Sequence, residues 1–267
     1  MTKRETYRAR LQETDPAALE PLLLEHSGLP GRRANLELAA ALGDWLLADP
    51  PSEVLWQQLE GWIALGADRA PTNARREYLP FCAAQALGAC HVTAEPLRRS
   101  WIEARLRAAA SDARWRLREA ACFGLQRIGE QDPDVLLGLL RGWLPDVTLT
   151  ERRAMLTTLA HPPLLERADV VELALELADE ALGVLEALEG EEARSDEARV
   201  LRKCLEFAPS VYAAADPGRG FALLRRWAGQ ESVPVKKIVV ANLRKARLAR
   251  CFPDEIEGVV SVLSFAD

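Results

Sequence analysis

A basic junction recurs along this chain at an interval that no single globular core would impose. It reads Arg32-Arg33, Arg75-Arg76, Arg118, Arg152-Arg153 and Lys236-Lys237. Three positions after the last cation of each comes an apolar residue: Leu36, Leu79, Ala121, Leu156 and Val240. Successive anchors lie 43, 42, 35 and 84 residues apart, the last being two units of 42. A period near forty residues with two helices per unit is the sequence signature of stacked helix pairs, an α-solenoid. In such an array each unit packs only on its neighbours, so 267 residues need neither a linker nor one oversized core. The expected fold is therefore all-α, a right-handed α-α superhelix of about six helix pairs closed by a C-terminal helix.

Breakers and caps place the units at approximately 15–48, 52–89, 95–129, 133–160, 163–214 and 217–250, with a cap at 253–264. Gly28-Leu-Pro-Gly31 splits the first pair, and the second helix is predicted from Arg32. Asp49-Pro50-Pro51-Ser52 stops that helix and caps the next, because Ser is a good N-cap and a residue before Pro avoids the helical region. Second helices are further predicted from Asn73, from Ala113 and from Thr150, the last as its own N-cap. Leu117, Ala121, Leu125 and Ile128 form one stripe of a 3.6-residue helix, and Val235, Val239, Leu243 and Ala246 repeat it. Leu139-Leu-Arg-Gly-Trp143 matches Leu223-Leu-Arg-Arg-Trp227, each Trp standing nine residues before the next basic pair. The fifth unit is irregular: a long helix over 163–188, a solvated loop at Glu189–Asp196, then a helix over 197–214.

These residues resemble HEAT repeats, the helix-pair units of many scaffold proteins. The best match is Asp112-Ala-Arg-Trp-Arg-Leu-Arg-Glu-Ala-Ala-Cys-Phe-Gly-Leu-Gln-Arg-Ile-Gly129, with Asp in the turn, the Leu117-Arg118 step and a small-residue stretch. Val235-Lys-Lys-Ile-Val-Val-Ala241 is the second. The resemblance spans residues 15 to 250. It implies that a turn Asp or an adjacent repeat partners the recurrent cations, and that second helices line a concave face able to hold a macromolecule. Bacterial DNA alkylation-repair glycosylases are also built from HEAT-like pairs and place Trp, Asp and Arg near the damaged nucleotide. Asp112, Arg114, Trp115, Arg116 and Arg118 supply those residue types without matching that motif position by position.

Charge separates the two readings only in part. The chain carries 34 Lys and Arg against 40 Asp and Glu, a net charge of −6, which argues against a surface built wholly for phosphates. Residues 166–206 hold 13 acidic and 5 basic side chains, whereas 219–250 hold 9 basic and 1 acidic. Mutual neutralisation and a polarised surface both satisfy that pattern. Cys82, Cys90, Cys122, Cys204 and Cys251 form no CxxC pair, which fits reduced, buried thiols of a cytoplasmic protein. No apolar h-region opens the sequence, and no uncharged apolar stretch nears the ~18 residues needed to span a bilayer.

Nothing in the sequence resembles a catalytic constellation. His26, His91 and His161 fall in no zinc-binding spacing, and Cys90-His91 is a poor chelating pair. Nucleophile elbow, P-loop and dinucleotide fingerprints are missing, so no catalytic residue, metal or cofactor is expected. The acidic loop 189–196 lacks the alternating ligands of a calcium loop. Most of the seven tryptophans sit at helical spacing among aliphatics and read as core; Trp115, between Arg114 and Arg116, is the exception. The candidate partner-binding residues are Arg33, Arg76, Trp115, Arg118, Arg153 and Lys237. The expectation is a scaffold holding a protein on its concave face; the alternative is a basic groove for nucleic acid.

Overall fold

Several helices begin where a side-chain oxygen satisfies the first free amide groups, as at Thr2, Asp15, Asn35 and Ser52, whereas those that begin at Tyr78, Pro96 and Trp115 start without such a cap. In the computed structural model, which describes residues 2–263, every regular element among them is helical and no strand occurs. The chain divides into two compact units, 1–139 and 140–267.

The first unit holds α1 (Lys3–Gln12), α2 (Pro16–Glu25), α3 (Leu36–Ala48), α4 (Glu53–Ile63), α5 (Tyr78–Cys90), α6 (Pro96–Ala110), α7 (Trp115–Gln131) and the start of α8 (Pro133–Trp143). Thr2 and Glu5 form a capping box on α1, and Asp15, Asn35 and Ser52 cap α2, α3 and α4. The helices α1, α3, α5 and α7 lie side by side, and α2, α4 and α6 pack onto α5 and α7. All thirteen residues of α5 are buried. Small side chains let these helices approach: a Cβ on Gly88 would come within 2.1 Å of the Gly124 carbonyl oxygen, and one on Gly124 within 2.5 Å of that of Ala84.

Bonds between successive pairs recur one sequence period apart. Gln58 Nε2 donates to the Pro16 carbonyl and Trp62 Nε1 to Glu20, both across 42 residues. The Gly31 N–H donates to Asn73 Oδ1 across 42, and the Tyr78 hydroxyl to the Asn35 carbonyl across 43. These four bonds thus share a separation of 42 or 43 residues, the spacing of the sequence junctions.

Three second helices start later than predicted, α7 by only two residues at Trp115. Residues 31–35 form a bend and α3 begins at Leu36, since Asn35, not Arg32, supplies the capping oxygen to Leu38 N–H. Asn73 has φ of 67° and lies outside any helix; Arg75–Glu77 form a 3-10 turn before α5. The helix α1 lies outside all six predicted units.

The second unit continues α8 and adds α9 (Leu149–Leu159), α10 (Ala168–Ala187), α11 (Asp196–Leu205), α12 (Ala208–Ala215), α13 (Pro217–Ala228), α14 (Val233–Leu243), α15 (Ala246–Ala249) and α16 (Pro253–Val260). Thr148, not Thr150, caps α9, because Glu151 at the third helical position returns its carboxylate to the Thr148 N–H. The predicted helix over 197–214 breaks at Glu206 and Phe207, just ahead of Pro209, and the helix expected along the Val235–Ala246 stripe breaks at Arg244 and Lys245. The cap expected at 253–264 is α16; Ser264 lies outside the described residues. Inter-helix bonds here span varied separations, among them 32 between Ser210 and Asn242 and 56 from Tyr212 to Leu156.

The acidic helix α10 neutralises part of the basic segment. Asp179 pairs with Arg226 and accepts from Trp227 Nε1 at 2.7 Å, while Arg219 is held by Asp216. Among the described residues no helix is long and apolar enough to cross a membrane.

Candidate binding groove on the first unit

Two inter-helix loops of the first unit meet on one guanidinium of α7. Arg116, in the first turn of α7, donates through Nη1 to Glu77 Oε2 at 3.0 Å. Its Nη2 donates to the Gly31 carbonyl at 2.5 Å and to Asn73 Oδ1 at 3.3 Å. The Asn73 N–H donates to the same Glu77 oxygen at 2.7 Å. Glu77 is fully buried and Arg116 is 3% exposed, so each charge has exchanged water for the other. Such a pair is worth little against an apolar substitute but is costly to break from one side.

The neighbouring turn is fixed the same way. Arg114 forks onto Asp112 through Nε and Nη2, both at 2.8 Å, and donates to the Ala70 carbonyl at 3.0 Å. Burial disfavours the Asp112 carboxylate, but the Arg114 side-chain and backbone bonds outweigh it and hold its pKa below the ordinary value. The cations at the start of α7, at the positive helix end, are thus each paired with a carboxylate, Arg114 with Asp112 and Arg116 with Glu77.

Between these two tied arginines Trp115 turns outward and is 45% exposed. The Arg116 guanidinium carbon lies 4.4 Å from its ring centroid, which braces the indole from one side. Beside it opens a groove of about 280 Å³ lined chiefly by Arg32, Arg33, Leu36, Phe81, Trp115 and Phe123. Phe81 is buried and meets Phe123 edge-on at 6.3 Å, forming the floor; Leu36 on the rim is 47% exposed. Arg32 and Arg33 are exposed, and neither makes an ion pair among the described residues. A rigid aromatic floor, two exposed apolar anchors and two unshared guanidinium groups suit a ligand that is apolar at one point and anionic beside it.

Of the six residues proposed from sequence, the groove gathers Arg33 and Trp115. Arg76 is exposed and reaches Glu20 at 3.7 Å. Arg118 is half-buried and donates to the carbonyls of Asp112 and Ala113, at 2.6 and 3.0 Å. In the second unit Arg153 is buried in α9, while Lys237 on α14 is exposed and Lys236 beside it is buried. Sequence reasoning passed over Leu36 as an anchor and the Phe81 and Phe123 floor, although those two phenylalanines stand one 42-residue period apart. Trp56, Trp62, Trp143 and Trp227 are buried. Cys82, Cys90 and Cys122 are buried free thiols, Cys204 is half-buried, and Cys251 is exposed, against the expectation of uniform burial. Burial pushes the Cys90 thiol up to about 12. No three His, Cys, Asp or Glu side chains among the described residues converge as a metal ion requires. No family model, curated protein or solved structure matches the chain.

Proposed function

We propose that this chain is a non-enzymatic, HEAT-like array of helix pairs that holds a protein partner, with the Trp115 groove as its principal contact. The inter-pair bonds spaced by 42 and 43 residues in the first unit support the repeat reading. Five free thiols are in keeping with a reducing, cytoplasmic setting.

The observation that carries the functional reading is the groove's composition. Trp115 and Leu36 stand exposed over a buried phenylalanine while Arg32 and Arg33 remain unshared. Exposed Trp and Arg around a packed centre is the make-up of an interface hot spot. Nucleic acid is the second reading, since an indole and two guanidinium groups also suit a base and its phosphates. Against it, Arg118 is committed to backbone carbonyls and Arg76 lies near Glu20, which interrupts a basic strip in this unit.

A photo-crosslinker at Glu119, on the groove wall, tests both. The partner recovered should bind the purified chain, and Trp115→Ala or Arg32→Glu with Arg33→Glu should weaken it by at least about tenfold, the loss of one hot spot. Duplex DNA should not bind at ~50 mM salt; salt-sensitive DNA binding abolished by the same double substitution would replace the protein reading with the nucleic-acid one.

A further inference from the structure

The second unit holds an unassigned cavity that does not depend on the groove just described. About 560 Å³ in volume, it lies between the turn at 160–166, α12 and the Arg247 side chain. Pro162, Leu165, Val211 and Ala214 give it an apolar wall, and Phe207 and Arg247 stand at its mouth. Such a size falls within the range of small-ligand and side-chain pockets.

Phe207 occupies the break between α11 and α12 and is 43% exposed, although it is among the most apolar residues of this unit. Two cations hold it: the Arg247 guanidinium carbon lies 4.5 Å from the ring centroid and the Lys245 ammonium 5.9 Å. Arg247 also donates to Ser210 Oγ at 3.4 Å, which fixes the guanidinium over the ring.

These cations differ from the rest of the basic segment. Arg219 and Arg226 are matched by Asp216 and Asp179. Arg244, Lys245, Arg247 and Arg250 fall within seven residues that include no acid, and none of the four forms an ion pair among the described residues. Glu166, across the cavity, is the one carboxylate among its lining residues, and it lies beyond salt-bridge reach of Arg247. The end of α14 accounts for cations near its carbonyls, but not for an Arg turned over an exposed phenyl ring beside an apolar hollow. The charge in excess at this mouth is positive, and the space behind it is apolar.

We propose that this cavity is a docking site for an acidic peptide segment: one large apolar side chain enters against Val211 and Leu165, and the carboxylates that follow it engage Lys245 and Arg247. An apolar wall suits a large apolar side chain, whereas a phosphate backbone would need a basic strip without an apolar floor.

Anisotropy of fluorescein-labelled peptides on the full chain tests it. The probe is a peptide with one phenylalanine followed by a run of glutamates; one control has serine for the phenylalanine, another glutamines for the glutamates. The probe should bind, each control should bind at least about tenfold more weakly, and affinity should fall with salt. Lys245→Glu with Arg247→Glu should remove binding, and so should Ala215→Trp, which fills the cavity from an exposed helix position; both variants must keep the wild-type circular dichroism. Trp115→Ala should leave binding unchanged, which separates this site from the groove of the first unit. Equal binding of the serine control, no effect of the double charge reversal, or tighter binding of duplex DNA or phosphatidylserine vesicles than of the probe would each overturn the proposal.

Discussion

Arg116 shows how one residue decides what its neighbours can do. Because it ties Glu77, Asn73 and Gly31 together, Trp115 beside it sits on a rigid base and is free to face solvent. Arg116→Ala strands the buried Glu77 carboxylate and should cost ~3–5 kcal/mol in urea unfolding, with partial recovery when Glu77→Gln is added. No recovery would mean that the loops are held by packing instead. At residue scale the site was half legible. A tryptophan between two arginines announces an exposed ring, since three large polar-flanked side chains cannot all enter a core. Which arginines are spent was not legible: the acceptors that occupy Arg116 lie 39 to 85 residues upstream, and no local pattern couples them. Hence Arg118, read as a binding residue, closes its own turn, while Arg32 and Arg33 remain open.

At the scale of elements, the crossing of α5 and α7 depends on the absence of two side chains. Gly124→Ala would set a Cβ 2.5 Å from the Ala84 oxygen and 2.8 Å from Leu106 Cδ2, so the helices must part. We expect a loss of ~1–3 kcal/mol, the usual range for overpacking. Gly138 in α8 is the counter-case, exposed in mid-helix with nothing near its missing Cβ; Gly138→Ala should gain ~0.5–1 kcal/mol. Thermal unfolding of both variants checks the pair, and opposite signs are required. Helix starts were readable where the cap is local and unrivalled, as at Asp15 and Ser52. At α3 and α9 rival signals stood a few residues apart. The basic pair at Arg32 drew attention from Asn35, and Thr150 from Thr148, whose spacing to Glu151 is that of a capping box. Pro209 inside the predicted helix over 197–214 marks a break that the sequence itself carries.

The whole chain's response to acid should begin in its first unit. His91 is fully buried; burial pushes its imidazole below the ordinary value of 6.5, and the bond to Glu103 only partly opposes this. A depressed folded pKa means that below 6.5 the unfolded chain takes up a proton that the folded one resists. Stability is therefore complete above 6.5 and declines as pH falls toward the lowered value. Asp44 and Asp112 are also held below their ordinary 3.8, Asp44 by Arg4 and Arg127 against the penalty of burial, so a second decline follows below that. Urea midpoints between pH 7.5 and 5 should fall for wild type and stay flatter for His91→Gln; parallel curves would assign the loss to other groups. The all-helical fold was the most legible feature at this scale, because the apolar spacing is helical throughout; bonds across 42 residues are in keeping with the proposed repeat. The division near residue 139 left no mark in composition, since it falls inside α8 and not in a linker. The latch on Arg116 also imposes an order on synthesis. Gly31 and Asn73 leave the ribosome well before the guanidinium that joins them, 85 residues after the first, so the early helix pairs emerge unfastened and their loops lock only once α7 has been made.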